Sequence, residues 1–334
     1  MNTSDTQQKE LSGKKVLITG GLGFIGSNLA HKCLALGADV TIYDCLDPRS
    51  GGNMHNIKNV ENKIKVALND IRNIEDLSAN IRDKDILFNC AAYTSHPNSM
   101  KEPLMDIEVN CQGVINILEA VRRFNTDIKI VQVGTSTQIG RMKYNPVDED
   151  HPEFPVEIYS ANKSVSEKYV LIYGQAYDIK TTVIRLVNVF GPRSNIKNSD
   201  FGFMNYFIGL ALQGKELNVF GEGEQLRSLL YVDDAVDALI LAALSEKSNG
   251  EVFLASTDQN YKVREIAEAI TSCIGGTIKF VAWPKNREVI EIGDAVISNK
   301  KIKDVLNWNA QFDLNSGLIT TREYFLKNLK QYLN

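Results

Sequence analysis

Residues 15–26 read KVLITGGLGFIG, an apolar run followed at once by glycines that recur every third residue. The run from Lys15 to Thr19 has the length and the β-branched content of a buried parallel strand. The residues from Ile25 to Leu36 then follow the spacing of a helix, which ends at Gly37. Glycine allows a tight turn and close approach of the backbone to a pyrophosphate, and a helix N-terminus attracts phosphate. This stretch therefore predicts a strand–turn–helix unit that binds a dinucleotide.

The acidic residue after the second predicted strand indicates which dinucleotide is favoured. That strand runs from Val40 to Tyr43 and closes on Asp44. A carboxylate there can accept hydrogen bonds from a ribose hydroxyl and would repel a 2′-phosphate, so NAD is favoured over NADP. A glycine turn without a ligand is the weaker interpretation. The predicted cofactor contacts are Gly20, Gly23, Phe24, Ile25, Gly26, Asp44 and, after the third strand, Asp70 and Ile71.

Strands and helices alternate along the first half of the chain. The further strands are predicted at 63–66, 86–89, 128–133 and 181–186, and the main helices between them at 106–124 and 160–177. Alternation of this kind predicts an α/β fold, a Rossmann-type doubly wound parallel sheet with helices on both faces.

The character of the sequence changes after Gly191, where shorter segments are separated by loops rich in Gly, Asn and Ser. A helix at 233–244 and a strand at 251–255 are expected to return to the main sheet, which would interleave a smaller α/β substrate domain with the first. The predicted division is a mobile tail at 1–12, an NAD-binding domain at 13–190 with 228–258 returning to it, and a smaller domain at 191–227 and 259–334.

Composition excludes several classes of protein. The formal net charge of −4 among 334 residues offers no basic excess for nucleic acid. The five cysteines are scattered without CxxC pairing, which indicates free thiols and neither a metal site nor a disulfide framework. No apolar run is long enough for a signal peptide or a membrane span. We therefore expect a cytoplasmic protein without a membrane partner.

A tyrosine and a lysine mark the candidate chemistry. Tyr159 and Lys163 stand four residues apart at the start of a predicted helix, and therefore on one face. A nearby ammonium and the positive ring of NAD would lower the pKa of the phenol from about 10, as a general base requires. Taken alone, such a pair is more often a solvated helix face. The hydroxyl residues after the strand at 130–133 strengthen the catalytic interpretation, because ligands bind at the carboxyl ends of parallel strands.

The sequences TGGLGFIG at 19–26 and YSANK at 159–163 resemble those of the extended short-chain dehydrogenase/reductases, in particular the nucleotide-sugar epimerases and dehydratases. The resemblance implies that Thr135, Tyr159 and Lys163 are the catalytic Ser/Thr, Tyr and Lys, and that Lys163 also binds the nicotinamide ribose. It adds three cofactor-side residues, namely Ala91, Ala92 and the buttressing Asn110.

The resemblance also implies a nucleotide-diphosphate sugar as the substrate. Asn188 lies in RLVNVFGPR at 185–193, which is similar to the segment that joins the two domains. Arg227 and Arg287 resemble arginines that bind the diphosphate, for which a forked guanidinium is suited. Ser136, Thr137 and His96 are predicted substrate contacts. For His96, packing or substrate contact is favoured over proton transfer, because one oxidation site already has its base.

The predicted reaction rests on carboxylates that other members of the family have and this chain lacks. Members of this family share the oxidation of a sugar at C4, and the 4,6-dehydratases carry Asp-Glu where this chain has Ser136 and Thr137. Absence of a carboxylate there favours an NAD-dependent 4-epimerase. A dehydratase, a decarboxylase or an epimerase at another carbon remain alternatives, as does an NAD-binding sensor without activity. The substrate is expected to be read between Thr135 and Gly140, where Gln138-Ile139 departs from the family's V-Y. A homodimer formed through the helices near Asn110 and Tyr159, and a role in polysaccharide biosynthesis, follow by analogy.

Overall fold

The computed structural model describes residues 3–47 and 49–333. The strands are, in chain order, β1 (Lys15–Thr19), β2 (Asp39–Asp44), β3 (Lys65–Leu68), β4 (Ile86–Asn89), β5 (Lys129–Thr135), β6 (Thr181–Leu186), β7 (Asn188–Phe190), β8 (Glu216–Phe220), β9 (Leu226–Tyr231), β10 (Glu251–Ala255), β11 (Asn260–Lys262) and β12 (Thr277–Val281). The helices are α1 (Thr3–Leu11), α2 (Phe24–Ala35), α3 (Ile74–Ile81), α4 (His96–Lys101), α5 (Pro103–Ile107), α6 (Gly113–Phe124), α7 (Ile158–Tyr177), α8 (Phe203–Leu212), α9 (Val232–Leu244), α10 (Val263–Cys273), α11 (Lys285–Glu288), α12 (Lys300–Leu306) and α13 (Leu314–Leu333).

Seven of these strands form one parallel sheet in the order β3-β2-β1-β4-β5-β6-β10. The order reverses direction between β1 and β4, so their carboxyl ends flank the crevice in which such sheets bind ligands. Thr19 at the end of β1 lies opposite Tyr43 of β2 and Asn89 of β4. The predicted doubly wound α/β sheet is confirmed.

Helices cover both faces of this sheet. Side chains alternate along a strand, and β1 shows the division, because Val16 and Ile18 join a core with α2 and α9 whereas Leu17 joins a core with α3, α6 and α7. All three side chains are fully buried. The strand therefore reads as a continuous apolar run because it is covered on both sides.

Two helical segments differ from the sequence prediction. Thr3–Leu11, within the predicted mobile tail, forms a helix that contacts α9 and buries Leu11 completely. Apolar periodicity in this polar segment is too sparse to reveal it. The single helix predicted at 106–124 is α5 and α6 joined by a π-helical turn, Glu108–Gln112. Such turns widen a helix locally and are frequent at functional sites.

The chain beyond β6 builds a smaller unit beside the carboxyl edge of the main sheet. Strands β7, β9 and β11 form one small sheet and β8 pairs with β12. Their side chains share a core with α8, α10 and α13. Strand β9 belongs to the small sheet, whereas α9, which follows it, contacts β5 and β6 of the main sheet, and the predicted return of residues 228–258 stays a prediction. Within residues 3–47 and 49–333, no helix has the length and apolar character of a membrane span.

Candidate active site

Two positions in the glycine turn have contacts that exclude a side chain. Gly20 has a φ of +65°, and a Cβ there would lie 2.7 Å from the backbone nitrogen of Ala91. A Cβ on Gly26 would lie 2.3 Å from the carbonyl oxygen of Gly20. Gly23 precedes α2 and caps it without a side chain, so the N–H groups of the first helical turn are open to an anion. This glycine cradle, residues 20–26, therefore has the backbone geometry and the open N–H groups that a bound phosphate requires.

One cavity brings the predicted cofactor contacts together at the carboxyl ends of β1 to β4. The predicted contacts in its lining are Gly20, Gly23, Phe24, Ile25, Gly26, Asp44, Asp70, Ile71, Ala91 and Ala92. A cradle for a pyrophosphate, a carboxylate for a ribose and an apolar wall thus share one cleft, and these residues fit a dinucleotide. The other predicted contacts, Asn110, Tyr159 and Lys163, are not part of that lining.

Asp44 is held by the same turn. Its Oδ2 accepts the N–H of Leu22 at 3.0 Å and its Oδ1 accepts the N–H of Leu46 at 2.8 Å. Burial raises the pKa of Asp44 above its usual value, and these two N–H groups oppose that shift. Each carboxylate oxygen can accept a further hydrogen bond, which suits Asp44 to ribose hydroxyls at the rim of the cavity.

Asn110 supports the cavity from behind. Its side chain is buried in the π-helical turn and makes two hydrogen bonds to the backbone of Tyr93. It accepts the N–H of Tyr93 at 3.1 Å and donates to the carbonyl oxygen of Tyr93 at 2.9 Å. Tyr93 itself lines the cavity. Asn110 therefore positions the segment after β4, as the buttressing role implied by the resemblance requires, and its assignment to the cofactor side stays a prediction.

Thr135, Tyr159 and Lys163 come together where β5 meets α7. Thr135 ends β5, while Tyr159 and Lys163 lie in the first turns of α7 and are nearly fully buried. The hydroxyl of Ser160 lies 2.8 Å from that of Thr137, whose own oxygen is 3.0 Å from the Thr135 hydroxyl. Hydrogen bonds between side chains thus connect the end of β5 to the first turn of α7.

The pKa of Tyr159 is raised in the protein by itself. Burial raises it above the usual value of a phenol, and the carboxylates of Glu157 and Asp106 raise it further. The ammonium of Lys163 donates to the carbonyl oxygen of Val133 at 2.6 Å, and burial lowers its own pKa to about 8. The lowering of the Tyr159 pKa by Lys163 together with the positive ring of bound NAD stays a prediction.

Glu157 is a buried carboxylate of the candidate site that sequence reasoning missed. It is buried at the N-terminus of α7, where its Oε1 accepts the N–H of Ser160 at 3.0 Å and lies 2.9 Å from Nδ1 of His96. The imidazole of His96 meets the ring of Tyr159 edge-on, with 5.0 Å between ring centroids. His96 therefore lies beside the predicted base. A carboxylate directly before a helix was an available signal, because it stabilises the positive end of the helix dipole.

Asp106 is a second missed carboxylate. It is fully buried in α5, and its Oδ1 accepts the side-chain amides of Asn110 at 2.9 Å and Asn162 at 2.8 Å. Burial raises its pKa, and these two amides oppose the shift. The four-residue spacing from Asp106 to Asn110 was the available signal, because it places both on one helix face.

The loop after β5 turns into the core at Gln138 and Ile139, which are both fully buried. The amide of Gln138 donates to Glu153 at 3.2 Å and to Glu167 at 2.9 Å. Both carboxylates pair with the buried guanidinium of Arg185, each at 2.6 Å. This cluster ties the loop to α7 and β6 and holds the side chain of Gln138 in the core, while substrate recognition by the segment 135–140 stays a prediction.

Two predicted diphosphate ligands lie on neighbouring strands of the small sheet. Asn188 of β7 donates to the carbonyl oxygen of Ser228 at 3.2 Å. Arg227 of β9 pairs with Glu291 at 2.6 Å and donates to the carbonyl oxygen of Gly293 at 2.7 Å. The guanidinium of Arg227 is therefore already bound by residues that lie just before Ala295, whose backbone pairs with that of Arg227.

Arg287, in α11, pairs with Asp200 at 3.2 Å. Asp200 belongs to the short helix Ser199–Phe201, which packs against α4, the helix that begins at His96. Arg287 is therefore linked to the same edge of the cleft as His96. The remaining predicted substrate contact, Ser136, is half-buried directly after β5.

Comparison with known proteins identifies relatives along nearly the whole chain. A Methanocaldococcus jannaschii protein named putative UDP-glucose 4-epimerase is 32% identical over 304 residues, which are 91% of this chain and 95% of the relative. A UDP-N-acetyl-alpha-D-glucosaminuronate decarboxylase from Bacillus cytotoxicus is 30% identical, over 93% of this chain and 98% of its own. The structure of the Thermotoga maritima UDP-glucose 4-epimerase, solved with UDP-glucose, has 28% identity and a TM-score of 0.84, and the match covers 94% and 99% of the two chains.

Residues 16–255 match the NAD-dependent epimerase/dehydratase family. This range takes in nearly all of the seven-stranded sheet, the cofactor cavity and the Tyr159–Lys163 pair. The resemblance seen in the sequence is confirmed, as are NAD as the cofactor and an enzymatic role. The chain belongs to the NAD-dependent epimerase/dehydratase family.

Proposed function

We propose that this enzyme is a nucleotide-sugar 4-epimerase. Tyr159 takes the proton of the sugar 4-hydroxyl, Thr135 holds that hydroxyl, and Lys163 binds a ribose of the cofactor. The observation that carries this proposal is the meeting of these residues at the junction of β5 and α7, where the loop offers hydroxyls at Ser136 and Thr137 in place of carboxylates. Relatives named UDP-glucose 4-epimerase support it as well.

NAD, when bound, supplies a hydride acceptor and donor together with a positive ring that favours a phenolate. The glycine cradle and Asp44 hold its phosphates and adenosine ribose. Because burial and two carboxylates raise the pKa of Tyr159, its proton leaves only when a positive charge nearby offsets them. We therefore expect activity to rise with pH as the phenol ionises, and to have no acidic optimum.

The diphosphate of the substrate would bind Asn188, Arg227 and Arg287. Both guanidiniums pair with carboxylates, Arg227 with Glu291 and Arg287 with Asp200. A diphosphate offers each guanidinium the same forked acceptor geometry with more negative charge. Substrate binding would therefore replace these two ion pairs, and the segment that carries Glu291 would move with it.

A second candidate function is favoured by one observation. The half-buried His96 and the buried Glu157 form an acid–base pair against the ring of Tyr159. Dehydration, decarboxylation or epimerisation at another carbon requires, after oxidation at C4, groups that such a pair can supply. The family includes decarboxylases among this chain's relatives. The presence of Ser136 and Thr137 in place of carboxylates does not by itself exclude these reactions.

A panel of UDP-, GDP-, CDP- and dTDP-sugars, incubated with the enzyme in D₂O, separates the candidates. We expect a product of unchanged mass that NMR identifies as the C4 epimer, without deuterium on carbon. Loss of water or of carbon dioxide, or deuterium at C3 or C5, would replace the 4-epimerase with the second candidate. Absence of turnover for every sugar, with NAD still bound, would favour a sensor.

Replacement of Tyr159 by Phe tests the assignment of the base. Tyr159→Phe should lower kcat by roughly 10²–10⁴-fold and leave the NAD content of the purified protein unchanged. Tyr173→Phe is a matched control on the same helix, since the Tyr173 hydroxyl contacts Glu119 rather than the site. Equal activity of Tyr159→Phe and the control would remove Tyr159 from the mechanism.

The homodimer and the cytoplasmic location predicted from the sequence remain proposals. Large apolar side chains on α5 and α7 are exposed in the single chain, namely Leu104, Ile107, Val165 and Ile172. Burial of such side chains between two copies would stabilise a dimer. Light scattering should give twice the chain mass for the wild type and a single chain mass for Ile172→Glu. Equal masses would place the interface elsewhere.

A further inference from the structure

A single asparagine, Asn56, joins the glycine cradle to the C-terminal helix α13. It is buried in the short helix Met54–Ile57, which lies between β2 and β3 in the chain. Its side-chain amide donates to the carbonyl oxygen of Leu22 at 2.9 Å, and its Oδ1 accepts the hydroxyl of Tyr332 at 2.5 Å. Leu22 belongs to the glycine cradle and Tyr332 to α13. One side chain therefore contacts both the cofactor side and the smaller unit.

The partners of this amide fix its orientation. Its nitrogen also lies 3.4 Å from the carbonyl oxygen of Arg193, and a carbonyl oxygen can only accept. Both N–H groups of Asn56 therefore point to carbonyl oxygens, and Oδ1 is left as the acceptor. The Tyr332 hydroxyl gives its one proton to that oxygen, so the hydroxyl of Tyr324, 2.5 Å away, donates to Tyr332. The series of hydrogen bonds thus runs in one direction, from α13 to the glycine cradle.

The peptide group that joins Leu22 to Gly23 is held at both of its polar atoms. Its carbonyl oxygen accepts the amide of Asn56 and, at 3.0 Å, the backbone N–H of Asn53. Its N–H, that of Gly23, donates to the carbonyl oxygen of Gly20 at 3.1 Å. This peptide group leads directly into the first turn of α2, whose N–H groups are open to an anion. Asn56 therefore helps to set the direction in which those N–H groups point.

Arg193 adds a second contact between the same regions. It follows β7, and its guanidinium donates to Oδ1 of Asn28 in α2 at 2.7 Å and to the backbone oxygen of Asn56 at 3.3 Å. The same guanidinium lies 5.3 Å from the centroid of the Tyr324 ring in α13. Asn56 is therefore held from the segment after β7 as well as from α13, and it has little freedom to move while these contacts remain.

We propose that Asn56 is a positioning residue for NAD, and that the hydroxyl of Tyr332 acts through it to hold the glycine cradle in its phosphate-binding form. The inference requires NAD as the cofactor but not the 4-epimerase reaction. Without the Tyr332 hydroxyl, Oδ1 of Asn56 is buried with no donor, which is unfavourable. The amide relieves this by turning, and it then withdraws its donor from Leu22. NAD binds only to the fraction of molecules that keep the original orientation, so its apparent affinity falls.

Tyr332→Phe removes the hydroxyl and keeps the ring. Calorimetry with NAD on the full-length protein should give a Kd about fivefold higher than that of the wild type, as expected for one buried hydrogen bond. Bound NAD should also exchange faster with added, isotopically labelled NAD. In the Asn56→Ala background, the same substitution should leave the Kd unchanged, because Tyr332 acts only through Asn56. With any sugar that the wild type turns over, saturating NAD should restore the kcat of Tyr332→Phe to the wild-type value.

Asn328→Ala is the matched control. Asn328 joins α13 to the same short helix, because its Oδ1 lies 2.9 Å from Nε2 of His55, but this contact does not reach the glycine cradle. The Kd of Asn328→Ala for NAD should equal that of the wild type. An unchanged Kd in Tyr332→Phe would overturn the inference. So would an equal rise in Asn328→Ala, which would assign the effect to the packing of α13 as a whole, or the full effect of Tyr332→Phe in the Asn56→Ala background.

Discussion

The two sides of the cleft are built in different ways. The cofactor side is made of backbone and of contacts between near neighbours in sequence, as when Asp44 accepts the N–H of Leu46. The substrate side is made of side-chain pairs from distant parts of the chain. His96 and Glu157 are 61 positions apart in sequence, Arg227 and Glu291 are 64 apart, and Arg287 and Asp200 are 87 apart. The first kind of site is fixed by a short motif. The second can change its ligand through single substitutions while the fold remains.

The largest expected effect is a loss of affinity for NAD when the glycine turn is altered. Gly26→Ala places a Cβ 2.3 Å from the carbonyl oxygen of Gly20, and relief of such overpacking costs about 3 kcal/mol, or about a hundredfold in Kd for NAD. Gly23→Ala is the milder control, since its Cβ would lie 3.2 Å from the same oxygen. Calorimetry with NAD measures both. Equal Kd values for Gly26→Ala and the wild type would mean that the turn does not hold the phosphates.

A somewhat smaller effect is expected on substrate binding, without an effect on cofactor binding. Arg227→Ala removes charged hydrogen bonds worth about 2 kcal/mol, so the KM for the nucleotide sugar should rise about thirtyfold. The Kd of this variant for NAD should not change. Arg264→Ala serves as the control, because that arginine is half-exposed and pairs with Glu224 on the surface. A rise in the NAD Kd of Arg227→Ala would show that the two sides are not independent.

Asp44→Asn tests the choice of cofactor within the cofactor side. The amide keeps one acceptor oxygen but loses the charge, so NAD should bind about tenfold more weakly and the preference for NAD over NADP should shrink. Fluorescence titration with both dinucleotides measures this. If the ratio of the two affinities stays as in the wild type, Asp44 does not read the adenosine ribose.

The smallest expected effect is tighter binding of a nucleoside diphosphate on the substrate side. Glu291→Gln removes the carboxylate that pairs with Arg227, and a partly exposed ion pair of this kind is worth up to about 1 kcal/mol. UDP, or whichever nucleoside diphosphate the enzyme prefers, should therefore bind up to about fivefold more tightly by calorimetry. Weaker binding would mean that Glu291 holds Arg227 in its binding position rather than competing for it.

The same division explains what the sequence could predict. The strand, glycine turn, helix and Asp44 follow from local propensity and from the geometry of phosphate binding, and all ten cofactor contacts predicted outside the Asn110, Tyr159 and Lys163 positions line one cavity. The partners of Gln138, Glu153 and Glu167, could not be predicted because only the tertiary fold brings them to it. Asp106 was missed beside Tyr159 for the same reason, whereas Glu157 stands only two residues before Tyr159 and could have been found.

One feature of the main sheet constrains how the protein is made. Its last strand, β10, lies at the edge of the sheet beside β6, although about 65 residues that include β7, β8 and β9 separate the two in sequence. While the chain is being synthesised, β6 therefore presents unpaired N–H and carbonyl groups until residue 255 has left the ribosome. An open edge of this kind can pair with other chains. A fragment that stops at the end of β6 would contain the glycine turn and Tyr159 and would still be prone to aggregate, so the cofactor side cannot be produced by truncating the chain there.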